Sequence, residues 1–228
     1  EIVEPGVPAF LNQLEVPRGR RATRLDLARW LTDRNHPLVA RVYVNRLWAM
    51  MFGRGLVSTT DDFGSQGSPP SHPQLLDYLA SDFIDSGWDV KHLVRLMVTS
   101  SAYRQSSRMA DSLRDRDPNN RLLARQSRFR MDAEMVRDGA LAVSGLLVPK
   151  LGGPSVKPYQ PEGLWEAVAM VPSNTRFYRQ DHGDKLYRRG LYTFSKRTAP
   201  FAMFTAFDAP SGEACLARRE VSNTPLQS

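Results

Sequence analysis

The run LVARVYVNRLWAMMF, residues 38–52, constrains the fold more than any other stretch. It is opened by Asn35-His36-Pro37, with proline suited to a first helical turn, and is closed by Gly53, a strong helix stop. Only Arg41, Asn45 and Arg46 break its apolar character. A helix apolar on nearly every side is normally surrounded by others. The spacing therefore predicts a central rod over 37–52, with four to six helices packed around it.

Flanking segments supply those partners. Thr23 to Asp26 reads as a capping-box variant opening a helix towards Asn35. Ser71-His72-Pro73 opens a third helix that Gly87 ends, and Asp89 caps a fourth running to Gln105. A polar break spans Ser106 to Asn120, with a short helix expected over NRLLARQ and a longer one after Asp132. After Pro149 the chain turns rich in Gly and Pro, with short helices expected near 162–170 and 200–207. Residues 190–195 alternate as a strand would. The expected class is mainly α, an irregular helical domain with a small β element in the second half. The segments are 1–20 as an extended lead-in, 21–148 as the helical core and 149–228 as a loop-rich second half. The chain opens on Glu1 and closes on Ser228 in mid-motif, and reads as a piece of a longer protein.

Composition narrows the chemistry. No apolar run approaches the roughly 20 residues that cross a bilayer, so no membrane span is expected. One cysteine, Cys215, leaves no internal disulfide, Cys-rich zinc site or haem-attachment motif within these residues. The formal charge is +7. Its arginines are interleaved with acids, so phosphate or sulfate groups are favoured partners and nucleic acid is not.

Four groups of residues bear on function. In the first, Arg41, Asn45 and Arg46 on the central rod face the loop 54–70, which carries Asp61 and Asp62. A buried guanidinium needs a carboxylate and a full set of hydrogen bonds. A buried ion pair pinning loop to rod is the plainer expectation, and a polar pocket with Asp61 or Asp62 as base or ligand the sharper one. Two aspartates work as acid and base when their surroundings push their pKa values apart. The second group is histidine: His36, His72, His92 and His182 show no metal-ligand spacing. His72 stands out, because it ends the aspartate-bearing loop. The third is the basic stretch Arg121, Arg125, Arg128 and Arg130, beside Arg104 and Arg108, with Tyr103 and Phe129 interleaved. It suits a sulfate, phosphate or acidic glycan; the plainer expectation is a solvated helix end plus core ion pairs with Asp132, Glu134 and Asp138. The fourth, Ser195-Lys196 together with Cys215, lacks any recognised nucleophile arrangement.

RVYVNRLWAMMFGRGLVSTTDDFGSQGSPPSHPQLLDYLASDFIDSGWDVKHLVRLMVTSSAYRQSS at 41–107 resembles a planctomycete-type domain of unknown function, one that lies C-terminal to cytochrome-c-like domains in large exported proteins. DPNNRLLARQSRFRMDAEMVRDGALAVSGLL, GGPSV, RRGLYTFSKR, FDAPSGEACLARRE and NTPLQ continue the likeness in order. The resemblance implies an exported parent working in the periplasm or at the cell surface, linked to polysaccharide degradation. A haem-bearing segment would lie upstream, with no cofactor in this chain. It also implies that helices beyond NTPLQ are missing here.

Three functions follow as expectations. The first is a binding or assembly module whose pocket is formed by Arg41, Asn45, Arg46, Asp61, Asp62 and His72, taking a glycan or sulfated polysaccharide. The second is a glycan-acting hydrolase in which Asp61, Asp62 or His72 is catalytic. The third is an accessory domain docking a cytochrome-like domain through its basic face.

Overall fold

The computed structural model describes residues 5–227 apart from Arg18. The described part is helix-rich, with eight α-helices and no sheet. The chain divides into two compact units, residues 1–129 and 130–228.

The first unit holds α1 (Arg24–Leu31), α2 (Val39–Phe52), α3 (Pro73–Asp85), α4 (Val90–Thr99) and the single-turn α5 (Asp111–Arg114). Local chemistry explains each start. Thr23 and Asp26 form a reciprocal capping box, and Arg20 clamps the same carboxylate at 2.7 and 2.8 Å. The imidazole of His36 caps α2: Nδ1 accepts the backbone N–H groups of Leu38 and Val39 at 3.3 and 3.4 Å. Asp89 caps α4 through the N–H groups of Lys91 and His92.

α2 is central, packing on both α3 and α4. Ala40, Val44, Trp48 and Phe52 recur every fourth residue and are buried, with Asn45 beside them. Leu76, Leu79, Phe83, Leu93 and Met97 fill the facing positions. Trp48 stacks on Phe52 at 3.9 Å. Burial of a side chain such as Leu93 contributes about 1.5–3 kcal/mol.

The opposite face of α2 is wet. Tyr43, Arg46 and Met50 are exposed at 39% for Tyr43 and 50% for Met50. The rod is thus buried or half-buried on most sides, with this one narrow stripe exposed. α4 ends at Thr99, because the chain turns extended at Ser100 (ψ 150°), and the expected continuation to Gln105 is a series of turns. NRLLARQ is also not helical. Asn120 and Leu123 take positive φ (50° and 55°), which breaks a helix wherever it falls.

The second unit holds α6 (Ala133–Val143), α7 (Leu164–Val168) and α8 (Ala202–Ala206), with 3₁₀ turns at Gly183–Tyr187, Gly190–Tyr192 and Pro225–Gln227. α6 therefore belongs to this unit, although its sequence reads as a continuation of the earlier helices. Asp132 stands at its N-cap without a side-chain capping bond. Ala133, Val156, Trp165 and Phe201 are its buried apolar residues, with Leu141 at the margin. The expected strand at 190–195 is not one. Gly190–Tyr192 turns as a 3₁₀ segment, and only two isolated bridges, Val148 with Arg188 and Val156 with Thr193, pair backbone here.

Arg188 and Arg130 organise this unit. Arg188 is buried, stacks over the Tyr192 ring at 3.7 Å and donates to the carbonyls of Lys150, Gly152 and Pro154. Arg130 donates to the Asp208 carboxylate, to the Ser222 carbonyl and to Gln227 Oε1. Asp208 also accepts from Ser222 N (2.8 Å) and Ser222 Oγ (2.7 Å), so one carboxylate gathers the segment 208–227.

Candidate functional site

The loop after α2 is anchored by an amide. Asn45 is fully buried; its Nδ2 donates to the Val57 carbonyl at 3.0 Å, and its Oδ1 accepts the Val57 N–H at 2.9 Å. Ser71 N closes the other end of the loop on Leu56 O at 2.8 Å. Gly55 lies so close that an added Cβ would sit 2.7–2.8 Å from the Asn45 amide.

This arrangement corrects the expected ion pair. Arg46 is exposed, and among the described residues it makes no hydrogen bond or ion pair with Asp61 or Asp62. The helical turn carries Arg46 onto the wet stripe with Tyr43 and Met50, one residue past the buried Asn45. Asp61 is exposed, and Asp62 accepts the Gly64 N–H at 2.7 Å. Arg41 pairs with Asp77 on α3 at 2.7 Å and donates to Pro37 O at 2.6 Å. His72 Nδ1 lies 3.0 Å from Ser71 Oγ. The six residues do not form the expected pocket: none lines either cavity at the end of α2 or the large cavity of the second unit.

The buried guanidinium of this unit is Arg125, in the segment Asp117–Ser127. Its Nη1 and Nη2 donate to the carbonyls of Asp117 and Pro118 at 3.2 and 2.8 Å. The Asp117 carboxylate, also buried, accepts the N–H groups of Arg121 and Leu122 at 2.7 and 2.8 Å. Asn120 accepts from Arg125 N and donates to Arg125 O. The buried side chains Asp117, Asn120 and Arg125 are thus paired within the turn, and Gln126 N and Leu123 O tie it to Ser106 and Gln105, which holds it in place without helix or strand.

That turn and the end of α2 enclose a cleft of about 400 Å³, lined by Phe52, Gly53, Arg54, Ser107, Met109, Pro118, Asn119, Asn120, Arg125, Ser127, Arg128 and Phe129. Its wall is closed by contact of the Phe129 ring with Gly53, where a Cβ would come within 2.7 Å of the ring; φ of 77° demands glycine there independently. A smaller chamber of about 30 Å³ adjoins it and shares Phe52, Arg54, Asn119, Asn120 and Ser127. Neither lining contains an Asp or Glu. Three arginines line the cleft. The Arg54 guanidinium has no partner among the described residues, Arg128 Nε meets only the Ser107 hydroxyl at 3.2 Å, and Arg125 is compensated by carbonyls alone. Positive charge without a carboxylate is matched to an anion.

The plainer expectation holds for Arg121 and Arg128, which are solvated, whereas the ion pairs it named are made by other arginines. Arg130 belongs to the second unit and meets Asp208; Glu134 and Asp132 take Arg219, and Asp138 takes Arg189. Arg121, Arg125 and Arg128 stay with the cleft and its chamber, joined by Arg54 and Asn119, which sequence reasoning missed. The one signal for Arg54 was its place directly after the helix-stopping Gly53. The second unit's cavity, about 430 Å³, is different in kind. Its carboxylates Glu134 and Asp138 are already engaged with Arg219 and Arg189. Cys215 is exposed and free. Among the described residues, no cluster of three or more His, Cys, Asp or Glu is placed to hold a metal, and no helix is long and apolar enough to cross a membrane.

Residues 23–228 match the family model PSD1, described as a protein of unknown function (DUF1553). The chain belongs to this family. No curated protein and no solved structure matches it. Membership in DUF1553 covers both compact units but assigns no activity to either, so chemistry has to be argued from the cleft.

Proposed function

We propose that this DUF1553 chain is a binding module of a multidomain exported protein, and that its first unit holds an anionic, oxygen-rich ligand such as a sulfated or acidic glycan. The observation that carries the reading is a cleft with three arginines and no carboxylate in its lining. Its volume of about 400 Å³ lies within the range of small-molecule sites. Phe129, 48% exposed, and Met109, 40% exposed, give it an apolar side against which a sugar ring can pack. The resemblance to modules of exported, polysaccharide-linked proteins supports the same ligand class and a periplasmic or surface location. The site moves from the helix-and-aspartate pocket expected from sequence to the end of α2.

Binding of dextran sulfate against neutral dextran, measured by calorimetry at low and high salt, tests this. The reading expects binding of the sulfated polymer alone, weakening as salt screens the arginines. Equal binding of both polymers, or of neither at low salt, contradicts it.

A further inference from the structure

Two aromatic residues line the larger cleft, and their rings are not alike. Phe52 is 2% exposed, stacked on Trp48 at 3.9 Å with the Tyr103 ring edge-on at 5.6 Å, so the core takes up its ring. Phe129 is half exposed and has no ring partner among the described residues. The backbone of Gly53 backs it: a Cβ there would come 2.7 Å from Cδ1 and 3.0 Å from Cγ of the ring. The end of α2 thus sets where the ring lies and leaves the rest of it open to the cleft. A flat side chain with few rotatable bonds, already braced, loses little freedom when a ligand covers it.

The preceding residue carries charge. Arg128 Nε donates to the Ser107 hydroxyl at 3.2 Å, which tethers the side chain and leaves its two terminal nitrogens without a partner among the described residues. Consecutive Cα atoms are roughly 3.8 Å apart. Ring and guanidinium therefore arise from one point of the lining. A flexible polyanion without rings can satisfy the arginine alone. A pyranose also presents an apolar face of axial C–H groups, which a flat side chain covers and thereby removes from water.

We infer that Phe129 makes this cleft selective for a saccharide over other polyanions: its ring stacks on a pyranose whose own sulfate or carboxylate is held by Arg128. This rests on the cleft reading above and adds to it the residue that reads the sugar ring and the requirement that the anionic group belong to the stacked unit.

Two pairs of polymers provide the test, each matched in its charged group and differing in the ring: dextran sulfate with polyvinyl sulfate, and polygalacturonate with polyacrylate. Affinities for the full chain are compared at equal concentration of charged groups and fixed ionic strength. The wild-type chain is expected to favour the ring-bearing member of at least one pair by about three- to tenfold, the scale of one aromatic contact. The pair that shows the preference tells sulfate from carboxylate. Phe129→Leu keeps apolar bulk without a flat face and should bring that ratio close to one; Phe129→Tyr should keep it. The ratio is taken within one protein, so a variant that is merely less stable lowers both affinities and leaves it unmoved. Arg128→Ala should weaken both members of the pair alike. Ratios near one for both pairs in the wild type, or a preference that survives Phe129→Leu, overturn the ring assignment. If binding still falls in Arg54→Ala/Arg128→Ala, the cleft reading stands without it; if binding is indifferent to those arginines, both fail.

Discussion

Asn45 and Val57 form a closed pair: the buried side-chain amide supplies both a donor and an acceptor to one residue's backbone, at 3.0 and 2.9 Å, twelve positions along the chain. A helix and the long loop that follows it are joined by a neutral amide that mimics a strand partner, not by opposite charges. Replacing Asn45 with Leu strands a buried N–H and a buried C=O. The expected loss is about 2–6 kcal/mol of stability, from roughly 1–3 kcal/mol for each of the two unsatisfied groups. Urea midpoints measure it.

Gly55 touches the same pair. An added Cβ would come 2.5 Å from Val57 O and 2.7 Å from Asn45 Nδ2. Gly55→Ala is expected to cost about 1–3 kcal/mol through overpacking. Part of the clash is with the Asn45 side chain, so the cost should be smaller in an Asn45→Ala background. The double-mutant cycle should show coupling above about 0.5 kcal/mol. Strict additivity contradicts the shared contact.

Arg46 and Arg125 should behave oppositely. Arg46→Met removes an exposed side chain with no partner among the described residues and is expected to change stability by no more than about 0.5 kcal/mol. Arg125→Met strips two donors from buried carbonyls and is expected to cost about 2–4 kcal/mol. Parallel denaturation of the two variants decides which arginine is structural.

These outcomes show what the residues alone made legible. Thr23, Asp89, Gly53 and Gly87 act locally, and the helix limits they imply are where the structure has them, because capping and left-handed backbone depend on immediate neighbours. Arg46 was misplaced because adjacency to apolar residues says nothing about the face. Its true companions at helical spacing, Tyr43 and Met50, are themselves exposed. NRLLARQ has a helical composition, yet the Asp117 carboxylate captures the N–H groups of Arg121 and Leu122, and the Asn120 amide the backbone of Arg125. Such side-chain bonds compete with the helix over four and five positions, and composition does not reveal them. Tertiary placement is less legible still: Arg54 and Arg121 line one chamber although 67 positions separate them.

Acid should weaken the second unit in a defined window. Ser222, through its N–H and hydroxyl, and then Arg130 hold the Asp208 carboxyl below its usual value. Its folded-state pKa is depressed, so its contribution is present above the ordinary carboxylate value of about 3.9 and is lost as pH falls further. Stability against urea should therefore decline as pH drops below about 4. Asp208→Asn should make that decline shallower, and an unchanged slope contradicts the linkage.

The alkaline side has a separate marker. Burial, with Asp181 nearby, pushes the Tyr178 phenol up to about 12. The folded form keeps its proton when the unfolded chain has lost it at about 10. The contribution is complete below pH 10 and disappears as pH rises to about 12. Absorbance near 295 nm should show one of the seven tyrosines ionising late, and Tyr178→Phe should remove that step.

The affinity of dextran sulfate for the wild-type chain, for Arg54→Ala/Arg128→Ala and for Arg46→Ala tests the central claim most directly. All three arginines are exposed, but Arg46 lies outside the cleft that Arg54 and Arg128 line. The cleft predicts a loss of roughly tenfold or more for the pair and less than about threefold for Arg46→Ala, whose removal subtracts charge alone. Comparable losses in both variants would mean that net charge, not the pocket at the end of α2, attracts the ligand.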